Sequence, residues 1–355
     1  MEKKDDNEQI SLWEKSKLGR KTKYYKIHTW LSRLASLIIL IVLLVLGKNY
    51  WETHDYNNYI ENALGNKIQD DVIINDIEKT NTIETEAVAD GNLRVYYIDV
   101  GQADSTLVVD KDKTMLIDAG TNEAGDTVVQ FLKDKGITKI DYLIGTHPHE
   151  DHIGGLDDVI DNFDIGTIYM PKMQTTTKTF EDVLDSIANK NLQGTTPVVG
   201  DTFKLTNANC TIMAIDTKDT KDNLNLSSIV LRMSYGGNSF LFMGDAEAEV
   251  EASRTWQPAD VLKVGHHGSR TSSTQNFVFQ VMPSIAIIPV GKDNSYNLPN
   301  KETLDKLSSV GAKIYRTDED GSILVVSDGS NIKVETKVRS VSYTHLRAHE
   351  TSQDL

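Results

Sequence analysis

Cysteine is all but absent from this 355-residue sequence: Cys210 is the single example, so no intramolecular disulfide can brace the fold. Cys210 lies in the apolar run Cys210-Thr211-Ile212-Met213-Ala214-Ile215, which suits a core position better than a nucleophile. Positive charge is also short. The formal net charge is -15, so partners are not selected by a broadly basic surface. Histidine is scarce too, with nine in the chain, yet His147, His149 and His152 fall within six residues of one another, with Asp151 among them. The length leaves room for one large domain plus appendages.

Leu34 to Gly47 carries no charge, and extension back to Trp30 gives eighteen residues, enough to cross a bilayer if Arg33 reaches the interface. Lys15, Lys17, Arg20, Lys21, Lys23 and Lys26 precede it, which places the N-terminus in the cytoplasm. Trp30, Tyr50 and Trp51 suit the two interfaces. A cleaved signal peptide competes with an anchor, but Leu46-Gly47-Lys48-Asn49-Tyr50 is a poor small-residue cleavage site. The expected organisation is a basic cytoplasmic tail (1–29), a transmembrane anchor (30–47), a polar linker with a short helix around Tyr59 to Leu64 (48–91), and an extracytoplasmic catalytic domain (92–338). Residues 339–355 match nothing before them and read as a non-native or disordered tail.

The chemistry concentrates in Thr146-His147-Pro148-His149-Glu150-Asp151-His152. Ile140 to Ile144 reads as a buried strand, and Pro148 bars further pairing, so the cluster sits on the loop that follows. Imidazole and carboxylate are the usual ligands of zinc and similar ions. His147 and His149 point to one side of an extended chain. Asp151 and His152 come a turn later, at the start of a helix, and face a second ion. Two ions on one loop fit a dinuclear hydrolytic centre.

His-x-His-x-Asp-His resembles the signature of the metallo-β-lactamase-fold hydrolases. That resemblance implies an α/β fold, a four-layer αββα sandwich, here behind a single N-terminal transmembrane helix. Asp99-Val100-Gly101-Gln102-Ala103-Asp104-Ser105 resembles the stand-alone, ComEC-type branch, with Ala103 where glycine is usual, and implies that Asp104 lies near the metal site. By the same resemblance Asp118 buttresses the ligand loop, and Asp245 in Gly244-Asp245 bridges two ions. Many relatives carry a ligand histidine just before the strand at Ile229 to Met233. Here Asn225 and Ser228 stand instead, an Asn-x-x-Ser pattern shared with the ComEC-type branch. Of His266 and His267, one should bind metal and the other touch substrate or carry a proton. Position after the strand leans to His266 as ligand, with His267 and Asp151 as the catalytic pair. Ser269, Arg270, Ser272 and Ser273 are candidate donors to an anionic substrate. Leu298 stands where similar proteins carry histidine before a proline.

The resulting expectation is two divalent ions, with Zn²⁺ suited best and Mn²⁺ or Fe also compatible. His147, His149 and Asp245 hold one; Asp151, His152, Asp245 and His266 hold the other. An activated water then cleaves an anionic phosphoester, either DNA or a cell-wall polymer. Residues 1–29 hold eight Lys and Arg against five Asp and Glu, leaving -18 for the remainder, which weighs against a nucleic-acid surface. A membrane-tethered binding module that holds metal without cutting is the alternative.

Overall fold

The computed structural model describes residues 91–338 apart from 173–174 and 217–222. The expected tail, anchor and linker, the short helix around Tyr59 to Leu64, and residues 339–355 lie outside the described residues. Among the described residues, no helix is long and apolar enough to cross a membrane.

Alternation of side chains sets the first strands. In Leu93–Tyr97 (β1), Leu93, Val95 and Tyr97 enter one apolar layer while Tyr96 enters another on the opposite face. β1 pairs antiparallel with Ser105–Asp110 (β2), and β2 pairs with Lys113–Ala119 (β3). Lys139–Ile144 (β4), Asp164–Tyr169 (β5) and Gly194–Thr195 (β6) then add in parallel. Parallel neighbours need crossover connections. Gly125–Asp134 (α1) supplies the first, Glu150–Ile153 (α2) and Leu156–Asn162 (α3) the second, and Lys178–Asn189 (α4) the third.

The second half repeats the plan. Thr202–Lys204 (β7), Asn209–Ala214 (β8), Val230–Tyr235 (β9) and Asn238–Phe242 (β10) pair antiparallel. Val261–Lys263 (β11), Ile285–Ile288 (β12) and Lys313–Arg316 (β13) continue in parallel. Ala248–Ala252 (α5), Gln275–Val281 (α6) and Lys301–Ser309 (α7) fall between them. Ile323–Ser327 (β14) and Ile332–Glu335 (β15) return to the first sheet, with β14 beside β1. The two sheets run β15-β14-β1-β2-β3-β4-β5-β6 and β13-β12-β11-β10-β9-β8-β7.

Three apolar layers show how the sheets stack. Val95, Tyr97, Met115, Leu231, Phe240 and Phe242 fill the middle, between the sheets. Leu107, Leu116, Val128, Leu132, Val159 and Val183 pack α1, α3 and α4 on the first sheet. Leu241, Leu262, Ile288, Val250, Phe277 and Leu307 pack α5, α6 and α7 on the second. Helix, sheet, sheet, helix is the αββα sandwich. Each large side chain buried here contributes about 1.5–3 kcal/mol. Cys210 is wholly buried in the middle layer, and burial pushes its thiol far above its ordinary value, so it is an inert core residue as expected.

Candidate metal centre

The loops leaving β3 and β4 in one sheet, and β10 and β11 in the other, meet at the end of the sandwich where the parallel strands finish. Asp118 closes β3 with a left-handed φ of 58°. That turn lets its carboxylate face the loop after β4. Asp118 accepts hydrogen bonds from the Thr146 amide and the Thr146 hydroxyl, both at 2.8 Å, and lies 2.8 Å from His152 Nδ1. This is the expected buttress. It leaves His152 Nδ1 carrying hydrogen and aims Nε2 the other way.

His152 Nε2 is 3.2 Å from Asp245 Oδ1 and 3.9 Å from Asp151 Oδ2. His267 Nε2 is 3.2 Å from Asp151 Oδ2 and 3.7 Å from Asp245 Oδ2. Among the described residues, one ligand atom from each of Asp151, His152, Asp245 and His267 lies within 4.8 Å of the other three. His152 Nε2 and Asp245 Oδ1 are buried with no hydrogen-bond partner despite their proximity. Ligands about 2.0–2.1 Å from a tetrahedral ion sit roughly 3.3 Å from one another. The spacing, the donor types and the two orphaned atoms therefore fit a divalent cation.

The backbone explains why His267 and not His266 enters this group. Both residues are left-handed, with φ of 51° and 50°. The tight turn sends the adjacent rings apart. His267 is buried, and its Nδ1 lies 2.9 Å from the Pro289 carbonyl, so Nδ1 carries hydrogen and Nε2 is the atom turned towards Asp151 and Asp245. His266 is 27% exposed at the rim, with Nδ1 3.2 Å from Glu247 Oε1 and from Thr271 Oγ1, and Nε2 3.7 Å from Asp245 Oδ2. The sequence-based leaning was to His266 as ligand; in the structure it is His267 that groups with Asp151, His152 and Asp245. Gly268, at φ 80°, must be glycine, because a Cβ there would lie 2.5 Å from Pro299 Cβ.

His147 and His149 come together as the extended spacing predicts, with His147 Nε2 3.0 Å from His149 Nδ1. They pair with each other and do not join the four-ligand group. Asn225 and Ser228 also have places. Ser228 Oγ accepts from the Asp245 amide at 3.1 Å, and Asn225 Nδ2 donates to Glu247 Oε1 at 3.2 Å. Asp104 lies 3.4 Å from His267 Nδ1 and 3.7 Å from His152 Nδ1. Ser269 Oγ is 3.0 Å from Thr271 Oγ1. Ser272 and Ser273 are buried, with Ser272 Oγ donating to the Ala246 carbonyl and the Ser273 amide donating to Glu251. Those two face the interior and not a substrate. Leu298 packs against the outer apolar layer.

Three residues of this region escaped the sequence reading. Thr146 ties Asp118 to the loop. Glu247 accepts from Asn223, Asn225 and Thr271 beside His266. Lys263 is a buried cation that contacts Asp104. The signal for the last was visible: a lysine inside the apolar strand Val261-Leu262-Lys263-Val264.

Charge explains the electrostatics. Burial alone would raise Asp245, but His152 and His267 beside it hold its carboxyl well below the usual range. Burial would likewise lower His267, yet the carboxylates of Asp245 and Asp104 push it up to about 10. His152 is raised well above its ordinary value, because Asp245 and Asp118 outweigh its burial. His147 goes the other way, lowered well below by burial and by His152. A carboxylate-rich centre without a cation holds protons, which a metal must displace on binding.

With this geometry in place, the sequence comparison is decisive: the Metallo-beta-lactamase superfamily matches residues 98–292, more than half of the chain. The chain belongs to the metallo-β-lactamase superfamily. Within that superfamily its relatives are of the ComEC-type competence branch. "ComE operon protein 3" of Bacillus subtilis (strain 168) is 32% identical over 248 residues, covering 64% of this chain and 32% of that protein. "Competence protein ComA" of Neisseria gonorrhoeae is 30% identical over 244 residues, covering 67% of this chain and 33% of that protein. The chain thus spans about a third of the length of these curated relatives. Among solved structures, the metallo-beta-lactamase fold protein YhfI of Bacillus subtilis is 11% identical, with 64% of this chain and 96% of that chain covered at a TM-score of 0.45. Asp151, His152, Asp245 and His267 all lie within the residues that the superfamily matches.

Proposed function

We propose that the protein is a membrane-anchored, extracytoplasmic hydrolase that uses two divalent ions to cleave phosphodiester or related phosphoester bonds. The observation that carries this reading is the convergence of Asp151, His152, Asp245 and His267, with His152 Nε2 and Asp245 Oδ1 unpartnered. Those four residues would hold one ion. His147 and His149, together with Asp245, would hold the second. Zinc suits the nitrogen-rich donor set, and manganese is next. The ions, when bound, lower the pKa of a water towards about 7 and offset charge on the substrate oxygens.

The protein's own groups do the rest. Asp118 and the Pro289 carbonyl fix the tautomers of His152 and His267, so their Nε2 atoms stay available. Asp151, the most exposed of the four, would hold metal and would accept hydrogen from the attacking water. His266, at the rim and held by Glu247, faces the substrate. Kinship with competence proteins supports nucleic acid as substrate. The net charge of -15 supports a small phosphoester at the cell surface, because polyanion binding relies on Lys and Arg.

The test uses the full chain, purified in detergent and loaded with Zn²⁺ or Mn²⁺, against bis-p-nitrophenyl phosphate and then DNA. Turnover that Asp151→Ala abolishes supports the reading, and no turnover of any ester ends it. Equal rates for wild type and Asp151→Ala would favour a binding module. Leu298, and Asn225 and Ser228 where many relatives carry a ligand histidine, speak for that second reading.

A further inference from the structure

Alternation along β11 puts Val261 in the middle layer and Leu262 in the outer one, so Lys263 falls on the side facing the other sheet. An ammonium therefore stands where an apolar side chain is due, and it is only 3% exposed. Burying a cation costs several kcal/mol unless its partners are well placed. Here they are. Lys263 Nζ forms an ion pair with Asp104, donates to the Gly244 carbonyl at 2.9 Å, and lies 3.9 Å from Asp245 Oδ1. The carboxylates of Asp104 and Asp245 raise its pKa against the effect of burial, so it stays charged.

Its chief partner belongs to the other sheet. Asp104 follows β1 on the turn into β2, and its amide donates to the Asp151 carbonyl at 3.0 Å. Its carboxylate lies beside His267 Nδ1 and His152 Nδ1. The centre itself is split the same way: Asp151 and His152 come from the first sheet, Asp245 and His267 from the second. We infer that Lys263 is a positioning residue for the metal centre: its clasp on Asp104, with its hold on Gly244 beside Asp245, locks the two half-sites in register. This rests on the reading that the centre binds metal.

Two roles for Lys263 predict opposite signs. A cation beside a metal site, acting through charge alone, repels the incoming ion, so its removal tightens binding. A positioning residue, once removed, lets the half-sites drift, and binding weakens. The experiment measures Zn²⁺ affinity by chelator competition, with thermal unfolding with and without metal, for the full chain and for Lys263→Met, Asp104→Asn and the double variant. Each single variant should bind about 10–100-fold more weakly, as for other groups that orient ligands. The double should be no weaker than either single, because the pair acts as one unit. The gain in unfolding temperature on adding metal should shrink in parallel. Unchanged or tighter binding in a folded variant, or additive losses, overturns the inference. If Lys263→Met does not fold, Asp104→Asn decides, since it preserves side-chain volume. Loss of fold in both that excess metal does not reverse also overturns it, by making the pair a determinant of folding alone. Wild type that binds no metal sinks the underlying reading instead.

Discussion

Asp118→Asn tests what holds the hydrogen of His152 on Nδ1. The substitution conserves shape and replaces one carboxylate oxygen by an amide NH₂. Thr146 N and Thr146 Oγ1 lie 2.8 Å from Oδ1 and Oδ2 respectively, and His152 Nδ1 lies 2.8 Å from Oδ2. The Asn oxygen can keep the Thr146 amide, and the Thr146 hydroxyl can rotate to accept. The imidazole cannot rotate its hydrogen away. Two donors then face each other unless His152 shifts its hydrogen to Nε2, the atom aimed at Asp245. Loss of a hydrogen bond to a charged acceptor costs about 2 kcal/mol. For a domain of this size that lowers the unfolding temperature by roughly 4–8 °C. A histidine with hydrogen on its ligating nitrogen does not bind metal, so affinity should fall about 10–100-fold. Chelator competition and thermal unfolding on the same preparation provide both numbers. A variant that unfolds earlier yet binds metal as tightly as wild type would refute the reasoning.

The placement of the two adjacent histidines gives a second expectation: His267→Ala should lose metal, while His266→Ala should keep it and lose turnover, as read by metal content and by kcat. Chelation of wild type should lower its unfolding temperature by roughly 5–10 °C, because a ligand at a hundredfold excess over its Kd stabilises by about 2.7 kcal/mol. Asp141 supplies a pH dependence away from the centre. Burial would raise it, but Lys113 at 2.8 Å, Lys139 at 3.0 Å and the Thr114 amide hold it below its ordinary value of 3.8. Its contribution to stability is therefore present above that value and lost as pH falls through the lowered one. The difference in urea midpoint between wild type and Asp141→Asn should vanish in acid and persist at neutral pH; a constant difference across that range would be the contrary result.

Most elements of the domain were legible because their causes are local. Short apolar runs bounded by glycine or charge mark β1, β2 and β3, and helical spacing of Val128, Val129, Phe131 and Leu132 marks α1. The short α2 after His149 also follows from the chain itself, since Pro148 ends the strand before it. The pairing partner of each strand was less accessible. β14 lies beside β1 although some 225 residues separate them, and nothing in either strand specifies that neighbour.

The ligand types and their grouping on loops belong to the sequence alone: His-x-His-x-Asp-His, Gly-Asp and His-His each follow an apolar strand, and strand ends are where such side chains escape the core. Choice between His266 and His267 belonged to the tertiary structure, because two consecutive left-handed residues and the Pro289 carbonyl decide which ring turns inward. So did Lys263. A lysine in a strand is read locally as a solvated side chain, and only the second sheet, arriving with Asp104, makes its burial tolerable.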